Sequence, residues 1–172
     1  MALPNRYAVV PLPAMFAMLI GRVLGNEGGY VNNPRDSGGE TNWGISKRSY
    51  PGIDIKNLTR EEAMLVYFYD FWAPIHGAQL HQGVAYQLLD IAVNAGVAAA
   101  VKMLQRAAGV TDDGNIGPAT LAAVEHASDT DTIMRIMAER LEAWTHCHNW
   151  ADAGAGWVRR AAADLRFAAE DT

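Results

Sequence analysis

At 172 residues the chain is long enough for one good hydrophobic core or for two small lobes. Half of its residues are hydrophobic and 19% are charged, the composition of a globular protein rather than a disordered one. A formal net charge of -5 without a basic stripe gives nucleic acid no electrostatic footprint, and a single cysteine, Cys147, excludes an internal disulfide framework.

Strand-like alternation is scarce and helical spacing recurs, so an all-α protein is expected. Residues 8–21 are nearly all apolar and follow Arg6, the pattern that raises the question of an export or anchor segment. Pro11 and Pro13 interrupt the run, Arg22 closes it, and it falls short of the roughly 20 residues a spanning helix needs. It reads as the start of a buried core helix through Phe16, Leu19, Ile20 and Val23, with no stable membrane insertion. Thr59 and Glu62 then form a capping box ahead of Met64, Tyr67, Phe68, Phe71 and Trp72, and Pro74 ends that helix. A third helix carries Val84, Leu88 and Ile91 up to Gly96, and an alanine-rich fourth runs to a stop at Gly109. Gly117-Pro118 starts a fifth, with proline at its first position. Ile133, Met137, Leu141 and Trp144 mark a long helix after Asp129 and Thr130, and a last one passes through Val158, Ala161 and Leu165.

The least helical stretch, 27–58, is rich in glycine, asparagine, proline and serine, with room for at most one short hairpin. An irregular segment of that length inside a compact domain is usually functional. Composition shifts toward alanine near Gly96, which places a boundary between lobes 1–97 and 98–172.

Glu27 lies on the helical stripe set by Phe16, Ile20 and Val23. A carboxyl at the end of an apolar stripe, if partly buried, keeps its proton to higher pH, which suits a general acid. Spacing alone equally allows a solvent-facing glutamate where Gly28 and Gly29 break the helix. Asp36 and Thr41 are chemically suited to hold a water, and each is also an ordinary loop residue. Tyr30, Trp43, Tyr50 and Trp72 supply aromatic rings near this loop, of the kind on which sugar CH faces stack. Gln87, Asp90 and Asn94 form a polar stripe opposite the apolar face of the third helix, either its solvated side or a cleft wall. His146, Cys147 and His148 are consecutive and point around a helix rather than converging, so neither a metal nor any other cofactor is expected.

Glu27-Gly28-Gly29-Tyr30, followed by Asp36-x-Gly38-Gly39-x-Thr41-Asn42-x-Gly44-Ile45, resembles the signature of glycoside hydrolase family 108. Tyr67, Trp72 and Pro74, and then Asp90-x3-Asn94-x-Gly96, are similar to further blocks of that family in the same order. The resemblance implies a lysozyme-like helical catalytic lobe, peptidoglycan glycan strands as substrate and Glu27 as the catalytic acid. It raises Asp90 and Asn94, with Tyr30, Asn42 and Trp43, as substrate-binding candidates. Small phage lysozymes of a different family space their catalytic Glu, Asp and Thr by eight and five residues; here the spacings are eight and four. The one-residue departure leaves Thr41 and Asn42 as rivals for holding the water. Asp113-Gly114-x-Ile116-Gly117-Pro118-x-Thr120-Leu121 and Gly154-x-Gly156-Trp157-x2-Arg160 resemble a helical peptidoglycan-binding module that follows such lobes.

The implied protein is a phage endolysin of the N-acetylmuramidase type, a monomer made in the host cytoplasm and acting on the wall after release. With the chain itself acidic, binding of an anionic wall would rest on stacking and hydrogen bonds. Two other classes remain open. A lytic transglycosylase uses one glutamate and the sugar's own hydroxyl, whereas a wall-binding or export-helper protein keeps the fold without catalysis.

Overall fold

The computed structural model of the chain describes residues 3–25, 29–32 and 39–171. Among them it is all-α, 62% helical, with seven α-helices and one small antiparallel sheet. Two compact units divide it, Met1–Ala73 and Pro74–Thr172. This division falls one helix earlier than the compositional shift at Gly96, because the third helix is packed with the helices that follow it.

In the first unit, α1 (Ala14–Leu24) buries Phe16, Leu19, Ile20 and Val23, the stripe read from the spacing. The helix stops at Leu24, where Gly25 turns the backbone to φ 58°. Three short strands follow, β1 (Val31–Asn32), β2 (Glu40–Asn42) and β3 (Ile45–Ser46), each paired antiparallel with the next. The sheet therefore has one strand more than the single hairpin expected. Two-residue strands carry too little alternation to be seen in sequence.

β2 and β3 are joined by only Trp43 and Gly44, and both have positive φ, at 52° and 76°. That is the requirement of a type I′ hairpin turn, whose usual first residue is Asn, Asp or Gly. Tryptophan there is strained, and four side-chain hydrogen bonds hold the turn. Trp43 Nε1 donates to the Leu58 carbonyl at 3.1 Å, and the Asn42 amide donates to Ile55 O at 3.0 Å and Leu58 O at 3.1 Å. Across the turn, the Tyr67 hydroxyl donates to Trp43 O at 3.0 Å. Burial raises that phenol to about 12, so it stays a donor at any ordinary pH.

Tyr67 is the last residue of α2 (Arg60–Tyr67), which opens on the Thr59/Glu62 capping box expected from sequence. The helix widens into a π-helical turn over Phe68–Trp72, closed by Ala73 N–H donating to Phe68 O at 2.9 Å. The wider turn seats Phe68 and Trp72 on either side of Phe16, with ring centroids 5.4 and 5.5 Å away, and Trp72 is buried. It also presents Asp70 to the buried Tyr7 hydroxyl at 2.7 Å, which pins the N-terminal segment.

The second unit is built around α3 (Gln82–Ala95), buried at every position from Gly83 to Ala92. A helix apolar on nearly all sides needs neighbours on all sides. These are α4 (Val97–Ala107), α6 (Asp129–Thr145) and α7 (Trp150–Asp171), with α5 (Pro118–His126) completing the unit. The α3/α6 crossing is close: a Cβ at Gly83 would lie 2.9 Å from Ile133 Cδ1. Among the described residues no helix is long and apolar enough to cross a membrane.

Gly44→Ala forces a Cβ into positive φ and to within 2.6 Å of the Tyr67 hydroxyl. A left-handed non-glycine residue costs about 1–3 kcal/mol. Urea unfolding is expected to show a loss of at least that size, and wild-type stability in the variant would contradict the clasp described for this turn.

Candidate functional site

In the first unit the sheet sorts the candidates by face. Side chains alternate along a strand, so Thr41 lies on one face of β2 and Asn42 on the other. Thr41 pairs with Val31, which is 57% exposed, and with Ser46. Asn42 pairs with buried Ile45, is itself buried, and uses its amide N–H groups on the 55–58 segment. Of the two rivals for holding a water, Thr41 is the less buried; Asn42 is buried and its amide braces the 55–58 segment.

Tyr30, 39% exposed, precedes β1 and donates from its hydroxyl to Glu40 Oε2 at 3.0 Å. Glu40 is a carboxylate the motif reading passed over, although it adjoins Thr41 in the chain. Trp43 is half-buried, tied by its indole N–H to Leu58 O. Glu27 and Asp36 lie outside the described residues; in the chain they flank β1. The helical extrapolation toward Glu27 is observed for Phe16, Ile20 and Val23, and the helix itself ends at Leu24.

In the second unit Asp90 has a different place from the expected one. The stripe Gln87, Asp90, Asn94 is neither the solvated side of α3 nor an open wall: Gln87 and Asp90 are completely buried. Arg140 of α6, 3% exposed, reaches Asp90 Oδ2 at 2.6 Å with one nitrogen and Asp164 Oδ2 of α7 at 2.8 Å with another. Arg160 of α7 adds bonds to Asp90 Oδ1 at 2.9 and 2.6 Å, and Tyr86 donates to Asp164 Oδ1 at 2.7 Å. Asp90 thus joins three helices and has no oxygen left for substrate. Asn94, one turn on, donates to the Asp90 carbonyl at 2.7 Å and lines a cavity of about 360 Å³.

The signal for Arg140 was present in the sequence. It continues the α6 stripe of Ile133, Ile136 and Met137, and a lone arginine on an apolar stripe requires a buried carboxylate partner.

The Asp113–Pro118 motif proves to be a structural device. Gln105 of α4 donates to Asp113 Oδ1 at 2.8 Å and Asn115 O at 2.9 Å, and accepts from Gly114 N–H at 2.8 Å, holding the turn that feeds α5. Cys147 is a free thiol half-buried after α6. Among the described residues no group of three or more His, Cys, Asp or Glu is placed to hold a metal ion.

A first unit of helices with one small antiparallel sheet, and a second unit that is helical, are consistent with the lysozyme-like helical architecture. Glycosyl hydrolase 108 matches residues 20–96, and a predicted peptidoglycan domain matches 99–162. The solved structure of Brucella abortus SagA is similar at 35% identity and a TM-score of 0.81, over 91% of this chain and 94% of SagA. Among curated proteins no sequence matches. The chain belongs to the glycosyl hydrolase 108 family. It is a glycoside hydrolase that acts on peptidoglycan.

Burial and the neighbouring Asp90 raise the Asp164 carboxyl to about 6, although Arg140 and Tyr86 pull the other way. A carboxyl raised in the folded state binds more protons there than in the unfolded chain, where it titrates near ~4. Its contribution to stability is therefore present below that range and is lost as pH rises from about 4 to about 6. Asp164→Asn mimics the protonated form, so the stability difference between variant and wild type should move in the variant's favour across that interval. Denaturant unfolding of both proteins at several pH values checks this, and a difference independent of pH would refute it.

At pH 7, Arg140→Met is expected to cost about 3–5 kcal/mol, since it leaves two buried carboxylates without their shared partner. Equal denaturation midpoints for the variant and wild type would refute the cost.

Proposed function

We propose that the chain is an N-acetylmuramidase of the endolysin type, cleaving the β-1,4 bond between N-acetylmuramic acid and N-acetylglucosamine. The observation that supports it most is the half-buried Thr41 hydroxyl on the face of β2 away from buried Asn42, within the segment matched by the glycosidase family. In this reading Glu27 donates its proton to the glycosidic oxygen as the bond to the anomeric carbon breaks. A water held by Asp36 and Thr41 adds to that carbon and releases its own proton to the carboxylate. Hydrolysis is favoured over transglycosylation because a hydroxyl and a carboxylate suited to holding water follow the acid in the chain. Tyr30 and Trp43 offer ring faces to the sugar, whereas Asn42 and Asp90 serve the scaffold.

Functionally the chain divides at 97/98 into the glycosidase lobe and a helical module resembling peptidoglycan-binding ones, while α3, which precedes that boundary, is packed with the helices of the module. The protein works as a monomer, needs no cofactor and takes no nucleic acid. It is made in the cytoplasm of a phage-infected host and meets the wall after release.

Glu27→Gln keeps the size of the side chain and removes the transferable proton. Loss of general acid catalysis lowers rates about 10²–10⁴-fold, and clearing of purified walls should fall by that order with an unchanged melting temperature. A folded variant that clears walls at the wild-type rate would remove Glu27 from the acid role.

A further inference from the structure

The cavity of about 360 Å³ in the second unit has no part in the chemistry proposed for the first. Its walls come from the end of α3, from α4, from the end of α6 and from α7. It exists because Ala95, Ala99 and Ala143 stand where larger side chains would fill the space. Its volume lies within the range of sites that take small molecules.

Its aromatic side is the indole pair Trp144 and Trp157, with centroids 5.8 Å apart and planes tilted by 35°. Trp150 extends the row at 6.1 Å from Trp157. All three indoles retain exposure, and Trp150 is 38% exposed. Its polar side is the Asn94 and Asn149 amides with the Arg160 guanidinium. Apolar surface with a few directional amide groups matches a ligand that has one apolar face and an edge of hydroxyl and amide groups.

Charge narrows the choice further. Arg140 and Arg160 both border the cavity, yet they face Asp90 and Asp164, so two guanidiniums meet two carboxylates. The net field at this border is thereby cancelled. An anionic group, such as a stem-peptide carboxylate, finds no uncompensated positive charge here, and the chain as a whole is acidic. A neutral acetamido sugar fits both constraints.

We propose that this cavity is a glycan subsite, binding one neutral N-acetylhexosamine unit with its apolar face on Trp144 and Trp157 and its acetamido edge toward Asn94 and Asn149. The proposal rests on the reading of peptidoglycan as substrate and gives the second unit a contact of its own with the glycan.

The test titrates the full wild-type chain with tri-N-acetylchitotriose while the indole N–H signals of all five tryptophans are followed by NMR. Saturable shifts of Trp144 and Trp157, with buried Trp72 unmoved, are expected. Ala143→Leu, which fills the cavity, is expected to weaken that binding about tenfold or more at an unchanged melting temperature. Trp144 and Trp157 signals that stay fixed at millimolar sugar would overturn the proposal, as would shifts produced by a soluble stem tripeptide but not by the sugar. The wild-type titration decides the matter even where Ala143→Leu does not fold. Clearing of purified walls, measured on the same wild-type sample, separates the two readings. Clearing without indole shifts removes the subsite and leaves the hydrolase; indole shifts without clearing do the reverse.

Discussion

Arg140 is the residue on which the second unit turns. Its guanidinium bridges Asp90 on α3 and Asp164 on α7 from a position on α6, and each of the three side chains is at most 3% exposed. Buried ions are costly to desolvate, and the cost is met only when every member is paired. Arg160 and Tyr86 complete that pairing on the outer sides of the two carboxylates. The result is a geometric lock, since α3, α6 and α7 satisfy these bonds only in one relative register. The cavity beside Trp144 and Trp157 is a consequence, because Arg140 and Arg160 hold its charged border while alanines leave its interior open.

The first unit depends on a smaller device of the same kind. The Trp43-Gly44 turn forces an indole into a backbone conformation that bulky side chains rarely adopt, and Asn42, Tyr67 and Leu58 restrain it by hydrogen bonds. Strain of this sort persists where the surroundings over-determine it and is concentrated at functional sites. Here the turn sets the register of β2, so that Asn42 faces inward and Thr41 outward. A one-residue slip would exchange them. The π-helical turn after Tyr67 has the same character, because it seats Trp72 against Phe16 and offers Asp70 to Tyr7.

What could be read from sequence was what is local. The α1 stripe, the Thr59/Glu62 capping box, the breaks at Gly96 and Gly109 and the Gly117-Pro118 start all rest on residues within a turn or two of one another, and the helices follow them. The family resemblance was carried by short motifs of the same local kind. Asp90 shows where local reading stops. Its partners Arg140 and Arg160 are 50 and 70 residues away, so its periodicity revealed a polar stripe but not that the stripe is buried. Asn42 was likewise drawn into the site by its neighbours in the motif, whereas its amide serves carbonyls 13 and 16 residues on. The cavity could not be anticipated, since alanines on three helices mark it only once those helices are packed.

The central claim is that water, not a sugar hydroxyl, ends the cleavage at N-acetylmuramic acid. Purified peptidoglycan digested in ¹⁸O-labelled water and analysed by mass spectrometry tests it most directly. The expected products carry reducing N-acetylmuramic acid ends with one ¹⁸O atom. Anhydro ends without label would make the protein a transglycosylase, and labelled N-acetylglucosamine ends would move the cut to the other glycosidic bond.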